Sequence, residues 1–261
     1  MGFIHKIDRT GEININSFGS KMTIIKYNSA RDVIVEFDDG YRTNARYKSF
    51  KDGYIFNPYI KTIFNIGYIG EGKYITKNKE NNKLTLQYDY WRGMLRRCYD
   101  KKMLERSPTY ENKEVCDEWL NFQNFGTWFD ENYYSIENER MHLDKDIIIK
   151  GNKLYSPNTC MFVPSRINLL FTKGEKARGK YPIGVNYYEP TNDFQSKCRI
   201  CEDNKSTQLI LGHYPTLMKA FYEGYKPFKE NYIKQVADEY KDKIPQRLYD
   251  AMYNWKVKIT D

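Results

Sequence analysis

Cysteine is scarce in this chain and shows no framework spacing. The 261 residues contain five cysteines, an odd number scattered between Cys98 and Cys201. Small secreted domains that depend on disulfides have dense, even-numbered cysteine patterns, so that class is excluded and a reducing cytoplasm is expected. Cys198 and Cys201 form one CxxC pair, but a structural zinc site needs four ligands and no second pair stands at matching spacing. No zinc is therefore expected.

Long apolar runs are also missing. No stretch approaches the roughly 20 apolar residues that a membrane-spanning helix requires. The first ten residues, MGFIHKIDRT, lack the apolar core of a signal peptide. The sequence therefore predicts a cytoplasmic protein that neither spans nor binds a membrane.

The chain is rich in positive charge and in aromatic rings. It has 42 lysines and arginines against 34 acidic residues, a formal charge of +8, 24 tyrosines and 14 phenylalanines. A basic surface neutralises phosphates and releases counterions, and aromatic rings interleaved with cations suit contacts with sugars and bases. Double-stranded DNA is therefore the expected partner. The tyrosines, with the many Asn, Lys and Ile residues, can equally reflect an A·T-rich coding genome.

The patterning predicts an α+β chain that begins with a small β domain. In residues 1–60, Met22 to Tyr27 and Val33 to Phe37 are β-branched strands, and Gly40 closes a turn between strands. Short strands at this size predict an SH3-like barrel, which can bind a peptide or nucleic acid or brace a neighbouring domain. A protein partner of this barrel is one of the open alternatives. The polar, glycine-containing residues 61–84 are predicted to be a linker.

Residues 85–172 are predicted to be helical at first. Four apolar side chains recur at three- to four-residue intervals, as one face of a helix does: Tyr88, Trp91, Leu95 and Tyr99. Arg96 and Arg97 stand on the flank of this helix, where they are predicted to face DNA phosphates. The alternative is a solvated basic face. A second helix is predicted through the aromatic-rich stretch between Trp119 and Phe129.

The stretch 141–171 carries the most site-like group of residues. It is predicted to form a strand, a Gly-Asn-Lys turn, a second strand or loop, and a short helix after Pro164. Asp144 and Asp146 share one face of the first strand because side chains alternate with period two, and Asn168 lies on the helix. Carboxylate and amide oxygens suit Mg²⁺ or Mn²⁺ rather than zinc, and Asp144 and Asn168 are the predicted ligands. The alternative is structural, with Asp144 acting as a cap or pairing with Lys145 or Arg166.

The last third of the chain is predicted to contact DNA. A basic linker, residues 173–182, includes Lys176 and Arg178 and is expected to follow the phosphate backbone. Residues 183–261 are predicted to form a three-stranded sheet followed by helices. Along Phe194 to Cys201 strict alternation places three polar side chains on one face, where they can enter the major groove: Gln195, Lys197 and Arg199. A solvated face of an edge sheet is the alternative.

The stretch 143–168 resembles the HNH endonuclease motif, the ββα-metal fold. Gly151-Asn152-Lys153 match its turn, the run from Pro157 to Phe162 matches its later segment, Asn168 matches a helix position, and Asp144 matches the first metal ligand. The resemblance implies metal-dependent cleavage of DNA. The sequence departs from the family at the general base, because Lys145 or Asp146 stands where a histidine is expected. His142 or Asp146 is then the candidate base, and Asp144 and Asn168 the remaining catalytic candidates.

The segment from Lys180 to Asp238 resembles the Apetala-type DNA-binding domain, which also occurs at the C-terminus of phage HNH homing endonucleases. The matching features are Gly184-Val185, the basic strand around Lys197 and Arg199, residues 211–214, and a helix from about Thr216. In that family the sheet reads the major groove and the helix braces it. The resemblance implies a DNA nicking or cleaving enzyme in the cytoplasm of a bacterial host. The alternative is a catalytically inactive DNA-binding or regulatory protein on the same scaffold.

Overall fold

The computed structural model describes residues 7–172, 179–202 and 205–261, which form a mixed α+β structure. Its strands are β1 Ile13–Ile15, β2 Lys21–Ser29, β3 Asp32–Phe37, β4 Arg42–Ala45, β5 Glu114–Val115, β6 Met141–Asp144, β7 Leu154–Tyr155, β8 Met161–Pro164, β9 Val185–Tyr188, β10 Asp193–Glu202 and β11 Lys205–Tyr214. Its helices are α1 Tyr47–Lys51, α2 Leu86–Tyr99, α3 Lys101–Arg106, α4 Phe122–Asn132, α5 Ser165–Leu170, α6 Leu217–Lys219, α7 Lys226–Glu239 and α8 Gln246–Tyr253. A π-helical segment, Ala220–Tyr225, joins α6 to α7. Across the described ranges, no helix combines the length and apolar character needed to cross a membrane.

The chain divides into two compact units. The first contains Met1–Leu95 and Asp117–Gly126, and the second contains Arg96–Cys116 and Thr127–Asp261. Two of the three boundaries fall inside α2 and α4, and the third follows β5, between Cys116 and Asp117. They therefore do not coincide with the segment ends at residues 60, 84 and 172 that the sequence patterning suggests.

The first unit begins with an antiparallel meander in the order β1-β2-β3-β4. Met22 and Ile24 of β2 and Val33 and Val35 of β3 are the buried members of an alternating burial pattern, and they pack on Phe50 of the short helix after β4. Burial of this one face stabilises the sheet.

The predicted SH3-like barrel differs from the meander that is found. Within the described residues no sheet closes into a barrel, and β1 and β4 are the two edges of the meander. The sheet stays open because its edge strands are short and because the chain after β4 forms a helix. β1 and β4 have three and four residues, and the chain after β4 turns into α1 instead of returning as a further strand.

The segment predicted as a linker, residues 61–84, is hydrogen-bonded to the rest of the first unit. The Gln123 side chain accepts from the Tyr74 backbone N–H at 2.9 Å and donates to the carbonyls of Ile69 and Tyr74. Lys77 and Leu84 form an antiparallel bridge, so this polar end is a short hairpin. Composition alone did not reveal these contacts because they come from a glutamine 49 residues further along the chain.

A small hairpin between two helices forms the centre of the second unit. β6 and β8 pair antiparallel, and the chain between them includes β7, which pairs parallel with β5. Phe162 of β8 lies within 5.3 Å, between ring centroids, of three aromatic rings at or beyond the end of α4: Trp128, Phe129 and Tyr133. The other face of the hairpin contributes Met161 and Val163 to a core that also holds Ile167 and Leu170 of α5.

The C-terminal part contains the predicted three-stranded sheet, in the order β11-β10-β9 with both pairs antiparallel. Ser196 and Cys198 of β10 are buried on the face that the π-helical segment and α7 cover, and Cys198 belongs to the same core as Phe221 and Ile233. At Gly224 an added Cβ would lie 2.6 Å from Ser196 Oγ, so the absence of a side chain permits this close approach.

Candidate cleavage site and nucleic-acid interface

His142 and Asp144 project from the hairpin face that α5 covers. In the β6–β8 ladder His142 is opposite Val163 and Asp144 is opposite Met161. Directly opposed residues of an antiparallel pair point to the same face. Met161 and Val163 pack with α5 in one core, so α5 covers this face of the hairpin. The order of two strands followed by a helix is the order that the sequence predicts. Asn168 lies in the middle of α5 and is partly buried.

Asp144 caps the turn that follows β6. Its Oδ1 accepts the backbone N–H groups of Asp146 and Ile147, both at 2.7 Å. Burial raises the pKa of this carboxyl, and the two backbone hydrogen bonds oppose the shift. No described residue donates to Oδ2, which leaves that oxygen available for a ligand.

Lys145 is the buried cation of this site, at 3% exposed. Its Nζ donates to Asp146 Oδ2 at 2.5 Å and to the Asn152 carbonyl at 2.9 Å. The opposite oxygen, Asp146 Oδ1, is buried, and no described group donates to it. Asp146 is therefore held by Lys145 and does not share the turn-capping role of Asp144.

Asn152 stabilises the loop between β6 and β7 through side-chain hydrogen bonds to the loop backbone. Its carboxamide donates to the carbonyls of Lys145 and Leu154 and accepts from the Leu154 backbone N–H. The loop thus holds the carbonyl to which the Lys145 ammonium donates. The Gly-Asn-Lys turn named in the sequence analysis therefore positions the Asn152 carbonyl that accepts from Lys145.

Arg96 and Arg97 differ in their surroundings although they are neighbours. Arg96 is exposed and pairs with Asp100 at 3.5 Å. Arg97 instead lies over the buried Tyr155 ring, with its guanidinium carbon 5.5 Å from the ring centroid. Its Nε is buried, and no described acceptor is within hydrogen-bonding reach. Arg97 is therefore part of the interior of the site and does not belong to a solvated phosphate-facing flank.

His142 has an environment that favours the neutral imidazole. Burial lowers its pKa, and the positive charges of Arg140 and Arg97 lower it further. A neutral ring can accept a proton at pH 7. Sequence reasoning did not identify Lys145, Arg97 and Tyr155 as a cluster because they lie on separate segments. The available signal was the position of Lys145 directly after β6, where the alternation of the buried Met141 and Leu143 continues.

The outer face of the C-terminal sheet presents the predicted cations. Lys197 is opposite Ile210 and Arg199 is opposite Gln208, so these four share one face. Arg199 is exposed and Ile210 is 64% exposed. Among the described ion pairs neither Lys197 nor Arg199 has an acidic partner. Lys176 and Arg178 lie outside the described residues.

Gln195 shares this face but is not available as predicted. It is 8% exposed, and its Nε2 is 3.2 Å from Nε2 of His213 on the neighbouring strand. His213 also contacts Asp193 at 2.9 Å through Nδ1, and this hydrogen bond lowers the pKa of the Asp193 carboxyl. The cross-strand partner covers Gln195, an effect that alternation within one strand does not reveal.

Cys198 and Cys201 do not converge on a common point. Cys198 faces the core at 2% exposed, and burial raises the pKa of its thiol. Cys201, three residues further along the strand, points to the other face because side chains alternate. In the part of the chain that the structure describes, no group of three or more His, Cys, Asp or Glu residues is arranged to hold a metal ion.

Comparison of the chain with protein-family models, with curated proteins and with solved structures finds no match. The likeness to the HNH and Apetala-type families therefore rests on the residues named above.

Proposed function

We propose that this protein binds double-stranded DNA through the outer face of the sheet formed by β9, β10 and β11. The observation that carries the proposal is the pair Lys197 and Arg199 on this face, neither of which has an acidic partner among the described ion pairs. An Arg guanidinium can donate two hydrogen bonds to guanine in the major groove, and a small β-sheet fits that groove. The net charge of +8 supports association with a polyanion.

The face also contains groups that suit base edges. Gln208 is exposed beside Arg199, and an exposed Ile210 can contact a thymine methyl group. The helices pack on the opposite face, through Ser196 and Cys198, and therefore hold the sheet without blocking it. This division of roles favours a rigid sheet that reads the groove.

The test compares two double variants that remove the same charge. Lys197→Gln with Arg199→Gln changes the outer face, whereas Lys241→Gln with Lys243→Gln changes exposed residues after α7. Fluorescence anisotropy with a labelled duplex should give roughly ten-fold or greater weakening for the first variant and little change for the second. Equal affinities for the two variants would contradict binding through this face.

A second proposed activity, metal-dependent nicking of the bound DNA, rests on the position of His142 and Asp144 beneath α5. The donor atoms suit a hard cation. Asp144 Oδ2 and the Asn168 carboxamide have no described hydrogen-bond partner, and Asp146 Oδ1 is a buried orphan. Mg²⁺ typically takes one or two protein oxygens and completes its shell with water and phosphate. Asp144 and Asn168 would hold it.

The roles follow from these environments. Bound Mg²⁺ or Mn²⁺ would stabilise charge on the phosphodiester oxygens. His142, kept neutral by its surroundings, would accept the proton of the attacking water. Lys145 is fixed by Asp146 and the Asn152 carbonyl, so its part is to position the loop. The same fixation favours the competing proposal, a DNA reader without cleavage, because a hydrogen-bonded ammonium stands where the HNH family has its base.

A supercoiled-plasmid assay with Mg²⁺ or Mn²⁺ separates these two proposals. Nicking by the wild type that is lost in Asp144→Asn and in His142→Ala, with duplex affinity unchanged, supports cleavage at this site. Asp52→Asn, which alters an exposed carboxylate in the first unit, serves as the control. If the wild type binds DNA but leaves it intact with either ion, the non-catalytic reader is correct.

A further inference from the structure

A cavity of about 390 Å³ lies in the second unit beside an unpaired edge of β10. β9 pairs with β10 only as far as Ser196, so the next residues of β10 have a strand on one side alone. The cavity is bounded there by α5 and α7. Its size is within the usual range for small-molecule sites, which is roughly 300–1,000 Å³.

Lys229 of α7 lines this cavity and is 8% exposed. Across the described ranges its ammonium makes no hydrogen bond or ion pair, and its nitrogen lies 5.8 Å from the centroid of the Tyr232 ring. Burial lowers its pKa, as expected for an ammonium without an adjacent anion. A buried cation without a counterion is unusual, since buried charges are normally paired.

The backbone of β10 offers a second donor to the same space. The N–H of Lys197 donates to the Gly184 carbonyl, and the N–H of Cys201 is bonded to Tyr232 Oη, so both point away from β11. Arg199 lies midway between them, and N–H groups two residues apart on a strand point the same way. The Arg199 N–H is therefore directed to the unpaired edge, which lines the cavity.

The charge of the lining has one sign. Four cationic residues and no carboxylate occur among the described lining residues: Arg166, Lys197, Arg199 and Lys229. Arg166 is also bonded to Glu239 outside the lining and to the Cys201 carbonyl. Asp261, which lines a smaller neighbouring cavity with Lys229, is paired with Lys150 at 2.5 Å. Among the described ion pairs Lys197, Arg199 and Lys229 have no acidic partner, and Lys229 is the most buried of the three, at 8% exposed.

We infer that this cavity is a binding site for a phosphate group, which Lys229 and the Arg199 backbone N–H hold. A phosphate has several acceptor oxygens and up to two negative charges, and it matches this density of donors better than a single carboxylate does. Ser206 and Gln208 add a hydroxyl and an amide to the lining. Leu169, Ile183 and Tyr225 form an apolar wall that accepts the organic part of a phosphomonoester.

The phosphate can belong to a small phosphomonoester or to the DNA backbone, and the test distinguishes these sources. Inorganic phosphate and phenyl phosphate are titrated into the full chain by calorimetry, with Lys229→Met and the surface control Lys241→Met. We expect phenyl phosphate to bind more tightly than inorganic phosphate, roughly ten-fold or greater weakening in Lys229→Met, and no change in the control. Equal binding by Lys229→Met, or no binding of either probe by the wild type, overturns the inference.

A measurement on the wild type alone guards against misfolding of the variant. In ¹⁵N NMR spectra phenyl phosphate should shift the Arg199 amide signal in a saturable way, and a saturable response confined to other residues would refute the site. The titration is then repeated with duplex DNA present. Displacement of phenyl phosphate assigns the site to a backbone phosphate, whereas simultaneous binding assigns it to a free phosphomonoester. The proposed phosphate site does not depend on DNA cleavage, so the absence of nicking in the plasmid assay would not contradict it.

Discussion

At the residue scale, Lys145 contributes to the stability of the loop between β6 and β7. Its ammonium is buried and supplies hydrogen bonds to Asp146 and to the Asn152 carbonyl. Lys145→Met should lower the free energy of unfolding by about 1–3 kcal/mol, because both acceptors lose their donor. Lys153→Met, at an exposed lysine of the same loop, should change it by less than about 0.5 kcal/mol. Urea unfolding of the two variants measures these free-energy changes, and equal unfolding midpoints for the two variants would refute the role of Lys145.

Asp144 gives a pH dependence with a defined sign. Its folded-state pKa lies above the ordinary value of 3.8, so between these two values the folded protein binds more protons than the unfolded chain. The free energy of unfolding should therefore fall as pH rises from 3.8 through the raised pKa. Asp144→Asn, which keeps the Oδ1 acceptor, should lack this component.

The comparison is made by urea unfolding across this pH range in the presence of EDTA. The wild-type stability should decline relative to the variant as pH increases. Parallel profiles, or a wild-type curve that rises relative to the variant, would show that burial does not raise this pKa.

At the scale of elements, Gly184 sets the distance between the C-terminal sheet and its helix. It has φ of +77°, and an added Cβ would overlap the Tyr225 ring. Gly151 has a similar φ of +80° with no atom within 4 Å of an added Cβ. Gly151→Ala should cost roughly 1–2 kcal/mol from backbone conformation alone, and Gly184→Ala should cost clearly more. Thermal unfolding of the two variants measures the loss of stability in each. An equal loss in both would mean that the Tyr225 ring moves aside without cost.

The elements themselves were largely visible in the sequence. β-Branched residues predicted β2 and β3, alternation predicted β10, and the period of Tyr88, Trp91, Leu95 and Tyr99 predicted α2. The strand, strand, helix order of residues 141–170 was also predicted. These features depend on local periodicity, which the sequence carries directly.

Features that depend on distant contacts were not visible. The hydrogen bonds from Gln123 to residues 69–74 and the covering of Gln195 by His213 each involve a partner on another segment. The candidate site shows the same limit. Asp144 and Asn168 could be selected from the motif, whereas Arg97 and Tyr155 meet through tertiary folding.

At the scale of the whole molecule, the proposals assign different tasks to parts of the second compact unit. They assign DNA binding to the sheet, cleavage to the hairpin with α5, and phosphate binding to the cavity beside β10. The first unit presents an open sheet whose edge strand exposes Ile13 and Ile15. A protein partner of this unit stays a proposal, which a pull-down that survives nuclease treatment would support.

The most direct test of the central claim is the affinity of the wild-type chain for a duplex and for the corresponding single strand across a salt series. Binding through a basic sheet in the major groove predicts tighter binding of the duplex at each salt concentration. It also predicts that the logarithm of the binding constant falls linearly with the logarithm of the salt concentration, with a slope of about −0.9 for each phosphate contact. Equal affinity for the two forms, or no saturable binding at low salt, would contradict the account.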